Sequence, residues 1–481
     1  MKHAALFAAV ALAACSPAPQ VTVTPARSAL FGQVRVKLHA ADVDLAELVR
    51  AGDLTLRFGD AAAVELAVDD DDGGVWASVQ GQARPGRVDI VARWSGGERR
   101  WQQAFELEAR GAFARARWMA IGASWTQGVQ ANGISPASQR MGPAAQIARA
   151  AGAYIGLPLI SPTLLRVLGP DDVADDCSLP GPKLDPSILE GLIDPKTNTI
   201  ELARARLDPD MTPQNVAVGG FHLHDLVYGP DGFLVVMANL VSHPRAAGPQ
   251  ILQSPPDTQI DLVEQNKPDI VVSTDLFLND IGRAVIGAAD DLDFDALPKL
   301  QDFERDAGAL AKRLSVAAGH VFIGNAPSVD ALPALAQLRQ RRIAKGEAPA
   351  DFDAKVVRFN QRIAELNAAM QRAAGAYANI HIVDLASEVE KVRREGKQVG
   401  DSKLGVAPYG GLFGLDQLHL SNTGYALIAN VFIDAINAEL AATYGEKLPS
   451  VDLATVNADD PESPRALREH ARTKGCVPAE L

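Results

Sequence analysis

Asp416 and His419 are the residues of this chain best suited by type and spacing to move a proton. They lie just before a segment whose apolar residues recur every three or four positions, which predicts a helix with one face packed on a core. Residues 421–423 (Ser-Asn-Thr) offer capping oxygens at its start. In such a loop a carboxylate can fix the tautomer of an imidazole and stabilise its protonated form, as the general base of a serine nucleophile requires. The alternative is a pair that only caps or hydrogen-bonds, because Asp-x-x-His also occurs by chance.

Length and charge limit the function classes. A chain of 481 residues is expected to form two or three domains. Its 47% hydrophobic and 22% charged residues are typical of a globular protein. The net charge of −13 argues against nucleic-acid binding, because a phosphate backbone would be repelled. We find no run of about eighteen apolar residues, the length that a membrane span needs.

The N-terminus has the pattern of an export signal. Lys2 and His3 precede a short apolar run that ends in Leu-Ala-Ala-Cys15. This ending resembles the lipobox of bacterial lipoproteins, which implies a signal peptide over 1–15, acylation of Cys15 and a tether over 16–20. The protein would then be exported and held on a membrane by its lipid anchor. Ser16 suggests the outer membrane, by resemblance to lipoprotein sorting, if the source is Gram-negative. A simple signal peptide with an incidental cysteine is the alternative.

Two further cysteines, Cys177 and Cys476, are present. An exported protein lives in an oxidising compartment, where these two could form one intrachain disulfide. Such a bridge would tie the C-terminal tail to the middle of the chain. Two free thiols are the other interpretation.

Residues 21–110 read as short strands separated by turn clusters, which predicts a small β-sandwich. Strands are expected around Val34–Leu38, Leu54–Leu56, Val64–Val68, Val88–Ile90 and Arg100–Leu107. The acidic run Asp69–Asp72 could hold calcium, although Asp-Gly at a hairpin tip is the commoner explanation.

From 111 to 450 strands alternate with longer helical stretches, which predicts an α/β domain with a mostly parallel sheet. In such sheets functional sites lie at the carboxyl ends of the strands. Ser124, Gly220, Asn279 and the Asp416–His419 loop each follow an apolar run. Residues 155–213 read as an insertion covering that edge, and 451–481 as a polar tail along the surface.

Four separated blocks together resemble the SGNH (GDSL-like) serine hydrolases, and of these the exported bacterial lipoprotein esterases. The blocks are Gly122-x-Ser124-x-x-x-Gly128, the stretch from Asn215 to Gly220 and beyond, Asn279-Asp280, and Asp416-x-x-His419. The resemblance covers about 117 to 447. It implies a three-layer SGNH, flavodoxin-like fold, a parallel sheet flanked by helices, preceded here by the small β-sandwich.

The resemblance also implies roles for these residues. Ser124 would be the nucleophile, His419 the general base and Asp416 the residue that orients the imidazole. Ser124 and Gly220, through their N–H groups, and Asn279, through its side-chain amide, would form the oxyanion hole. The activity implied is serine carboxylic-ester hydrolysis through an acyl-enzyme, on an acylated lipid, small molecule or surface polysaccharide. No metal or organic cofactor is implied.

Some residues depart from the family pattern or have a second interpretation. Ala123 stands where the family has Asp before the serine, Phe277 where glycine is usual in the third block, and Leu420 where proline is common after the histidine. Trp125 is either core or a wall of the acyl pocket. His222 and His224 form His-x-His, which could ligate a metal, although neighbouring ligands are not evident.

Two other functions stay open. One is a catalytically silent surface lipoprotein that binds glycan or lipid on a hydrolase fold, and Ala123 and Phe277 are the features that favour it. The other is an acyltransferase, which differs only in passing the acyl group to an alcohol instead of water. Labelling by a fluorophosphonate separates the silent protein from both enzymes, because the reaction needs an activated serine.

Overall fold

A computed structural model describes residues 21–31, 34–161, 164, 166–175, 178–179, 192–194, 196–243, 245–255, 257–286 and 291–475. The chain divides into two compact units. One comprises Met1–Ser28, Gln33–Gln80 and Gly86–Leu107, and the other comprises Ala29–Gly32, Gly81–Pro85 and Glu108–Leu481. The predicted signal peptide and tether, with Cys15, and the predicted disulfide partners Cys177 and Cys476 lie outside the described residues.

The first unit consists mainly of short strands. They are β1 (Val21–Thr24), β2 (Arg27–Ala29), β3 (Val34–Ala40), β4 (Thr55–Phe58), β5 (Ala61–Ala62), β6 (Val64–Val68), β7 (Val75–Val79), β8 (Gly86–Trp94) and β9 (Gly97–Glu108), with a helix α1 (Leu45–Arg50) after β3. The strands pair in two sheets, of order β1-β3-β7-β6 and β2-β9-β8-β4-β5. Strand pairs in both sheets are antiparallel.

Alternation of side chains gives each sheet a buried face. Val36 and Leu38 of β3 are fully buried, with their neighbours turned outward, as the two-residue period of a strand requires. In the other sheet Phe58 meets Phe105 edge to face, with ring centroids 5.2 Å apart. The strands predicted from the sequence are therefore present, and their packing as a β-sandwich stays a prediction.

The acidic run between β6 and β7 is a hairpin connection. Lys37 Nζ lies 2.6 Å from Asp69 and 2.5 Å from Asp72, and the Gly74 N–H donates to Asp72 Oδ1. The Lys37 ammonium between the two carboxylates neutralises negative charge that a calcium ion would otherwise neutralise. The hairpin interpretation is therefore favoured over the calcium site.

The second unit combines strands and helices. Its strands are β10 (Trp118–Ala120), β11 (Ile193–Asp194), β12 (Thr199–Ile200), β13 (Ile270–Ser273), β14 (His320–Gly324), β15 (Ile380–Val383), β16 (Lys397–Val399) and β17 (Ser402–Leu404). Its helices are α2 (Ser124–Gln127), α3 (Pro136–Met141), α4 (Pro143–Ala151), α5 (Leu223–Tyr228), α6 (Phe233–Ser242), α7 (Gln259–Asn266), α8 (Leu278–Ile286), α9 (Leu300–Ala317), α10 (Pro333–Ala344), α11 (Pro349–Gly375), α12 (Leu385–Glu395), α13 (Asn422–Tyr444), α14 (Leu453–Asp459) and α15 (Pro464–Thr473). The mixed α/β class predicted from the sequence is confirmed.

Strands β10, β13, β14 and β15 form a parallel sheet in the order β10-β13-β14-β15. Residues 214–218, predicted as a strand, make only an isolated bridge but run parallel along the other edge of β10. There the Ala120 N–H donates to Gln214 O and the Val216 N–H to Ala120 O, both at 2.9 Å. In chain order the five segments are arranged 2-1-3-4-5, the order of flavodoxin-like sheets. The order reverses between β10 and β13, where such sheets bind their ligands.

Successive strand residues point to opposite sides of this sheet, so both of its faces are apolar. Helices cover both faces. Val271 and Val321 pack in a cluster with apolar side chains of α7, α9 and α11. Val272 and Phe322 pack in a second cluster with side chains of α4, α12 and α13. Strands buried on both faces are apolar at nearly every position, which is why they read as continuous apolar runs in the sequence.

Within the described part of the chain, α13 is long and apolar enough to cross a membrane, with a mean hydropathy of 1.3. It contains Asn430, Asp434 and Asn437, so it is not a run of about eighteen apolar residues and does not contradict the expectation from the sequence. Tyr425, Ile428, Phe432 and Ile436 of this helix are fully buried in the cluster on the second face of the sheet. We interpret α13 as a core helix of the second unit.

Candidate active site

The candidate nucleophile, Ser124, begins α2 immediately after the turn that follows β10. The turn passes through Gly122, whose φ is +130° and where a Cβ would lie 2.8 Å from Asp275 Oδ1, so only glycine fits. Gln259 of α7 holds this glycine at both ends. The Gly122 N–H donates to Gln259 Oε1 (2.7 Å), and Gln259 Nε2 donates to Gly122 O (2.9 Å). The backbone two residues before Ser124 is therefore fixed at both its N–H and its carbonyl oxygen.

Asp275, which follows β13, caps the helix that begins at Ser124. Its carboxylate accepts from the Ala123 N–H (3.0 Å) and the Trp125 N–H (2.6 Å). It also accepts from the N–H and the hydroxyl of Thr126, at 3.3 and 2.6 Å. Ala123 at the N-cap makes no side-chain hydrogen bond, so Asp275 supplies the acceptor that an N-cap Asp or Ser normally provides. Among the residues described, the Ser124 N–H has no acceptor, and it is the donor of this turn left for a ligand.

The Asp275 carboxyl is 1% exposed. Burial raises its pKa above the usual range, while the hydrogen bonds from Thr126, Ala123 and Trp125 act in the opposite direction. Its hydrogen-bond donors are backbone amides and a hydroxyl, so the carboxylate orders the turn without a cation beside the nucleophile.

The glycine turn at 219–220 lies against Ser124. A Cβ on Gly219 would come 3.6 Å from the Ser124 Cβ. Two amide side chains tie this turn to α2, because the Gly219 N–H donates to Gln127 Oε1 (2.8 Å) and Asn215 Nδ2 donates to Thr126 O (2.8 Å). Gly220 has a φ of +90°, and its N–H has no acceptor within the described ranges.

Asn279 is the second residue of α8 and so lies inside the helix rather than before it. Its Nδ2 donates to Phe221 O at 2.9 Å, which orients the amide toward the end of the glycine turn. An amide nitrogen carries a second hydrogen for another acceptor. Asn279 and Ser124 line the same cavity, of about 50 Å³.

Asp416 and His419 form a directly bonded pair. His419 Nδ1 lies 2.6 Å from Asp416 Oδ2, which also accepts from the Asn132 N–H (2.7 Å). The other carboxylate oxygen accepts from the backbone N–H groups of Leu418 and His419. Burial alone would raise the pKa of Asp416, but the charge and hydrogen bond of His419 and the backbone donors bring it below the usual range. A charged Asp416 directs His419 Nδ1–H toward itself and leaves Nε2 as the acceptor.

The segment after residue 451 was predicted to follow the surface, and it also supplies two buried carboxyls to this loop. Glu462 Oε1 accepts from the Leu415 N–H (3.2 Å), just before Asp416. Asp460 accepts from the N–H and the hydroxyl of Thr423 (2.8 and 2.7 Å), just after the loop. Both ends of the Asp416–His419 loop are therefore fastened to the same stretch between α14 and α15.

Burial acts against the charged form of each of these two carboxyls. Burial, the charge of Asp460 and the charge of Asp416 raise the pKa of Glu462 well above its usual range. Burial also raises the pKa of Asp460, against the hydrogen bonds from Thr423 and Glu462.

The structure brings Ser124 and Asn279 together more closely than it brings Ser124 and His419 together. Ser124 and Asn279 share a cavity, and Leu418, the neighbour of His419, lines the same cavity. No hydrogen bond joins Ser124 Oγ to the His419 ring within the described part of the chain. Such bonds are often long in the absence of substrate and tighten when substrate binds.

The departures from the family pattern have structural explanations. Phe277 is buried and packs edge to face on Phe303, with centroids 5.3 Å apart, so it faces the core and does not line the Ser124 cavity. Leu420 is fully buried in the cluster around α13. Trp125 lines the cavity and packs against Phe413, so a role in the core and a role in the pocket wall both stay open.

Sequence reasoning missed Asp275, Gln259 and Glu462. The position of Asp275, directly after an apolar strand, is a signal that could have identified it. Gln259 and Glu462 carry no comparable signal, because they bond to residues 137 and 47 positions away.

His222 and His224 do not converge on a common point. His222 Nδ1 lies 3.1 Å from Asp225, and His224 Nδ1 lies 3.0 Å from Asp306. The described residues include no group of three His, Cys, Asp or Glu side chains arranged to hold a metal. The His222–Asp225 pair lies at the start of α5, and the His224–Asp306 pair joins α5 to α9.

A larger cavity, of about 500 Å³, lies elsewhere in the second unit. Arg206, Met211, His243 and Arg245 are among its lining residues, and none of the candidate catalytic residues lines it. We therefore place the candidate site by its chemistry rather than by cavity size.

Neither the protein-family models nor the curated proteins include a match to this chain. Among solved structures, an α/β hydrolase enzyme from the metagenome of Lake Arreo, Spain, is similar with a TM-score of 0.34 and 14% identity, over 68% of this chain and 97% of that one. A variant of an acetyl xylan esterase from Geobacillus stearothermophilus is similar with a TM-score of 0.31 and 13% identity, over 67% of this chain and 94% of that one. Similarity at this level carries no argument about this chain, so the site is argued from its own residues.

The buried Glu462 predicts a pH-dependent stability. Its folded-state pKa is raised, so its contribution to stability is complete below the unfolded-state pKa and is lost as the pH rises through the folded-state pKa. We expect Glu462→Gln to remove this loss, so that the melting temperature of the wild type falls relative to the variant as the pH is raised. Thermal unfolding followed by circular dichroism from acid to alkaline pH measures this difference.

Glu469→Gln on α15 is the matched control, because this side chain is 73% exposed and the variant should follow the wild type. A constant difference in melting temperature between wild type and Glu462→Gln at every pH would contradict the prediction.

Proposed function

We propose that this chain is a serine carboxylic-ester hydrolase of the SGNH type that works through an acyl-enzyme. One observation carries the proposal. Ser124 lines a cavity together with Asn279 and Leu418, and its N–H has no acceptor among the described residues. His419 follows Leu418 in the chain and is bonded to the buried Asp416. Nucleophile, oxyanion donors and oriented base would thus meet at the strand-order reversal between β10 and β13. This chemistry needs no metal or organic cofactor.

In the proposed reaction Ser124 Oγ attacks the carbonyl carbon of the ester, and His419 Nε2 takes the serine proton. The oxyanion accepts hydrogen bonds from the N–H groups of Ser124 and Gly220 and from Asn279 Nδ2. The bond between the carbonyl carbon and the alcohol oxygen then breaks, and the alcohol leaves with the proton from His419. Water, deprotonated by His419, attacks the acyl-enzyme, and the carboxylic acid and free Ser124 are released.

The proposed substrate is an acyl or acetyl ester carried by a lipid, a small molecule or a surface polysaccharide. The support for this class is that Ser124 and Asn279 line one cavity and that His419, bonded to Asp416, would act as the base. Residues 155–213 remain the proposed cover of this edge.

The Ser124→Ala variant tests the nucleophile. We expect it to lose hydrolysis of p-nitrophenyl acetate by roughly a thousand-fold or more, because the acyl-enzyme cannot form, and to lose labelling by a fluorophosphonate. The matched control is Ser387→Ala, an exposed serine on α12, which should keep both. Rates are measured by p-nitrophenolate release and labelling by mass spectrometry of the intact protein.

The same measurements separate the other two functions. Wild-type protein that neither hydrolyses the ester nor takes the label would favour a silent glycan- or lipid-binding protein. Labelled protein that turns over only when an alcohol acceptor is added would favour an acyltransferase.

Asp275→Asn tests whether the cap positions the nucleophile. An amide retains one acceptor oxygen where the carboxylate uses two, so at least one N–H of the turn loses its partner. We expect kcat/KM for p-nitrophenyl acetate to fall by about a hundred-fold, since small misplacements of a reacting atom cost that much. Asp452→Asn makes the same change at the start of α14 and should leave kcat/KM unaltered. A variant that melts at a lower temperature but keeps its kcat/KM would reduce Asp275 to a structural residue.

We also propose that the protein is an exported lipoprotein anchored by acylated Cys15, in the outer membrane if its source is Gram-negative. The support is the apolar run and the Leu-Ala-Ala-Cys15 ending. Metabolic labelling with radioactive palmitate in a bacterial host should mark the wild type and not Cys15→Ser. Equal labelling of both proteins would count against acylation at this cysteine.

A further inference from the structure

The cavity beside Ser124 is small and mainly apolar. Its volume is about 50 Å³. Its apolar walls are formed by Trp125, Leu278, Ile281, Pro327, Val329 and Leu332. Its polar groups include Ser124 and Asn279, the proposed nucleophile and an oxyanion donor, so the carbonyl group of a bound ester would lie at that end.

The walls are held by the core and cannot withdraw independently. Ile281 is 4% and Val329 1% exposed, and both belong to the cluster on the first face of the sheet. The Val329 N–H donates to Asn360 Oδ1 of α11 at 3.0 Å. Trp125 is fixed by Phe413 and by its own N–H bond to Asp275. Enlarging the cavity would therefore require the close-packed interior to move.

The reaction decides which part of an ester must enter this space. In the acyl-enzyme the carbonyl carbon is bonded to Ser124 Oγ, so the acyl chain stays beside Ser124 until water arrives. The alcohol, by contrast, leaves with the proton from His419. Asn279 lines the cavity and would bond the oxyanion, so the acyl chain extends from there between the apolar walls.

The cavity volume limits the length of that chain. Pockets for drug-sized ligands measure about 300–1,000 Å³, and a cavity of about 150 Å³ takes a benzene ring of six carbons. By proportion a volume of about 50 Å³ accommodates roughly two carbon atoms. Leu157, Leu159 and Ile160 of the insertion are buried in the core clusters and do not line this cavity.

We propose that the enzyme is selective for short acyl groups, with acetyl preferred, and that the alcohol of the ester lies outside the cavity. This selectivity rests on the proposed ester hydrolysis and adds the substrate class to it. The enzyme is accordingly a deacetylase of O-acetylated alcohols rather than a lipase.

The test is kcat/KM of the full chain for p-nitrophenyl acetate, butyrate and octanoate. We expect the acetate to be hydrolysed best, with a loss of roughly ten-fold or more for each methylene that no longer fits. An octanoate rate equal to or above that of acetate would overturn the proposal. If none of the esters is cleaved and no fluorophosphonate label is taken up, ester hydrolysis itself fails, and the selectivity fails with it.

A wall variant tests the cavity directly. Ile281→Ala removes side-chain atoms from the wall, and we expect the butyrate-to-acetate ratio of kcat/KM to rise by about ten-fold. Ile363→Ala removes the same atoms from the buried face of α11, away from the cavity, and should leave the ratio unchanged even if the protein melts earlier. Equal ratios in the two variants would overturn the role of this wall.

A second series keeps the acetyl group and varies the alcohol from ethyl to phenyl to naphthyl, with rates corrected for leaving-group pKa. A corrected kcat/KM that changes less than ten-fold supports an alcohol outside the cavity. A steep fall with increasing size of the alcohol would place the alcohol in the cavity and overturn the proposal.

Discussion

The candidate site depends on one buried carboxylate, that of Asp275, which joins the turn after β10 to the end of the neighbouring strand β13. It accepts three backbone N–H groups around Ser124 and leaves the Ser124 N–H without an acceptor among the described residues. An N-cap side chain at residue 123 would come from the nucleophile turn itself. Here the cap comes from the neighbouring strand, so the pairing of β10 with β13 brings the Asp275 acceptor to the turn.

The other half of the site is fastened in a similar way, by residues distant along the chain. Glu462 and Asp460 bond the backbone just before and just after the Asp416–His419 loop. Burying three carboxyls so close together is costly unless most of the charge is removed. The pKa shifts act in that direction, because the pKa of Asp416 is lowered beside His419, whereas burial raises the pKa of Glu462 and of Asp460. The stretch between α14 and α15 thus helps to position the candidate residues Asp416 and His419.

The position of the cavity follows from the topology. Residues 214–218 lie on one edge of β10 and β13 lies on the other, so the connections after these strands diverge to opposite sides and open a crevice. Ser124, the glycine turn and the start of α8 border it. The same packing that supports these elements also restricts the space beside Ser124, because the cavity walls are core residues. Reactivity and selectivity for size would then have a common structural origin.

The sequence by itself determined five strands of the first unit, the mixed α/β class and the five residues Ser124, Gly220, Asn279, Asp416 and His419 as candidates. These are local signals: buried strands are apolar runs, and polar residues directly after them fall at one edge of a parallel sheet. Only the tertiary structure decided which groups support them. Asp275, Gln259 and Glu462 act through hydrogen bonds to backbone atoms far away in the chain, and a backbone acceptor or donor leaves no mark in the residue type. Cavity size was likewise decided by tertiary packing, because the volume beside Ser124 depends on how α2, α8 and residues 327–332 meet, which no single stretch of sequence specifies.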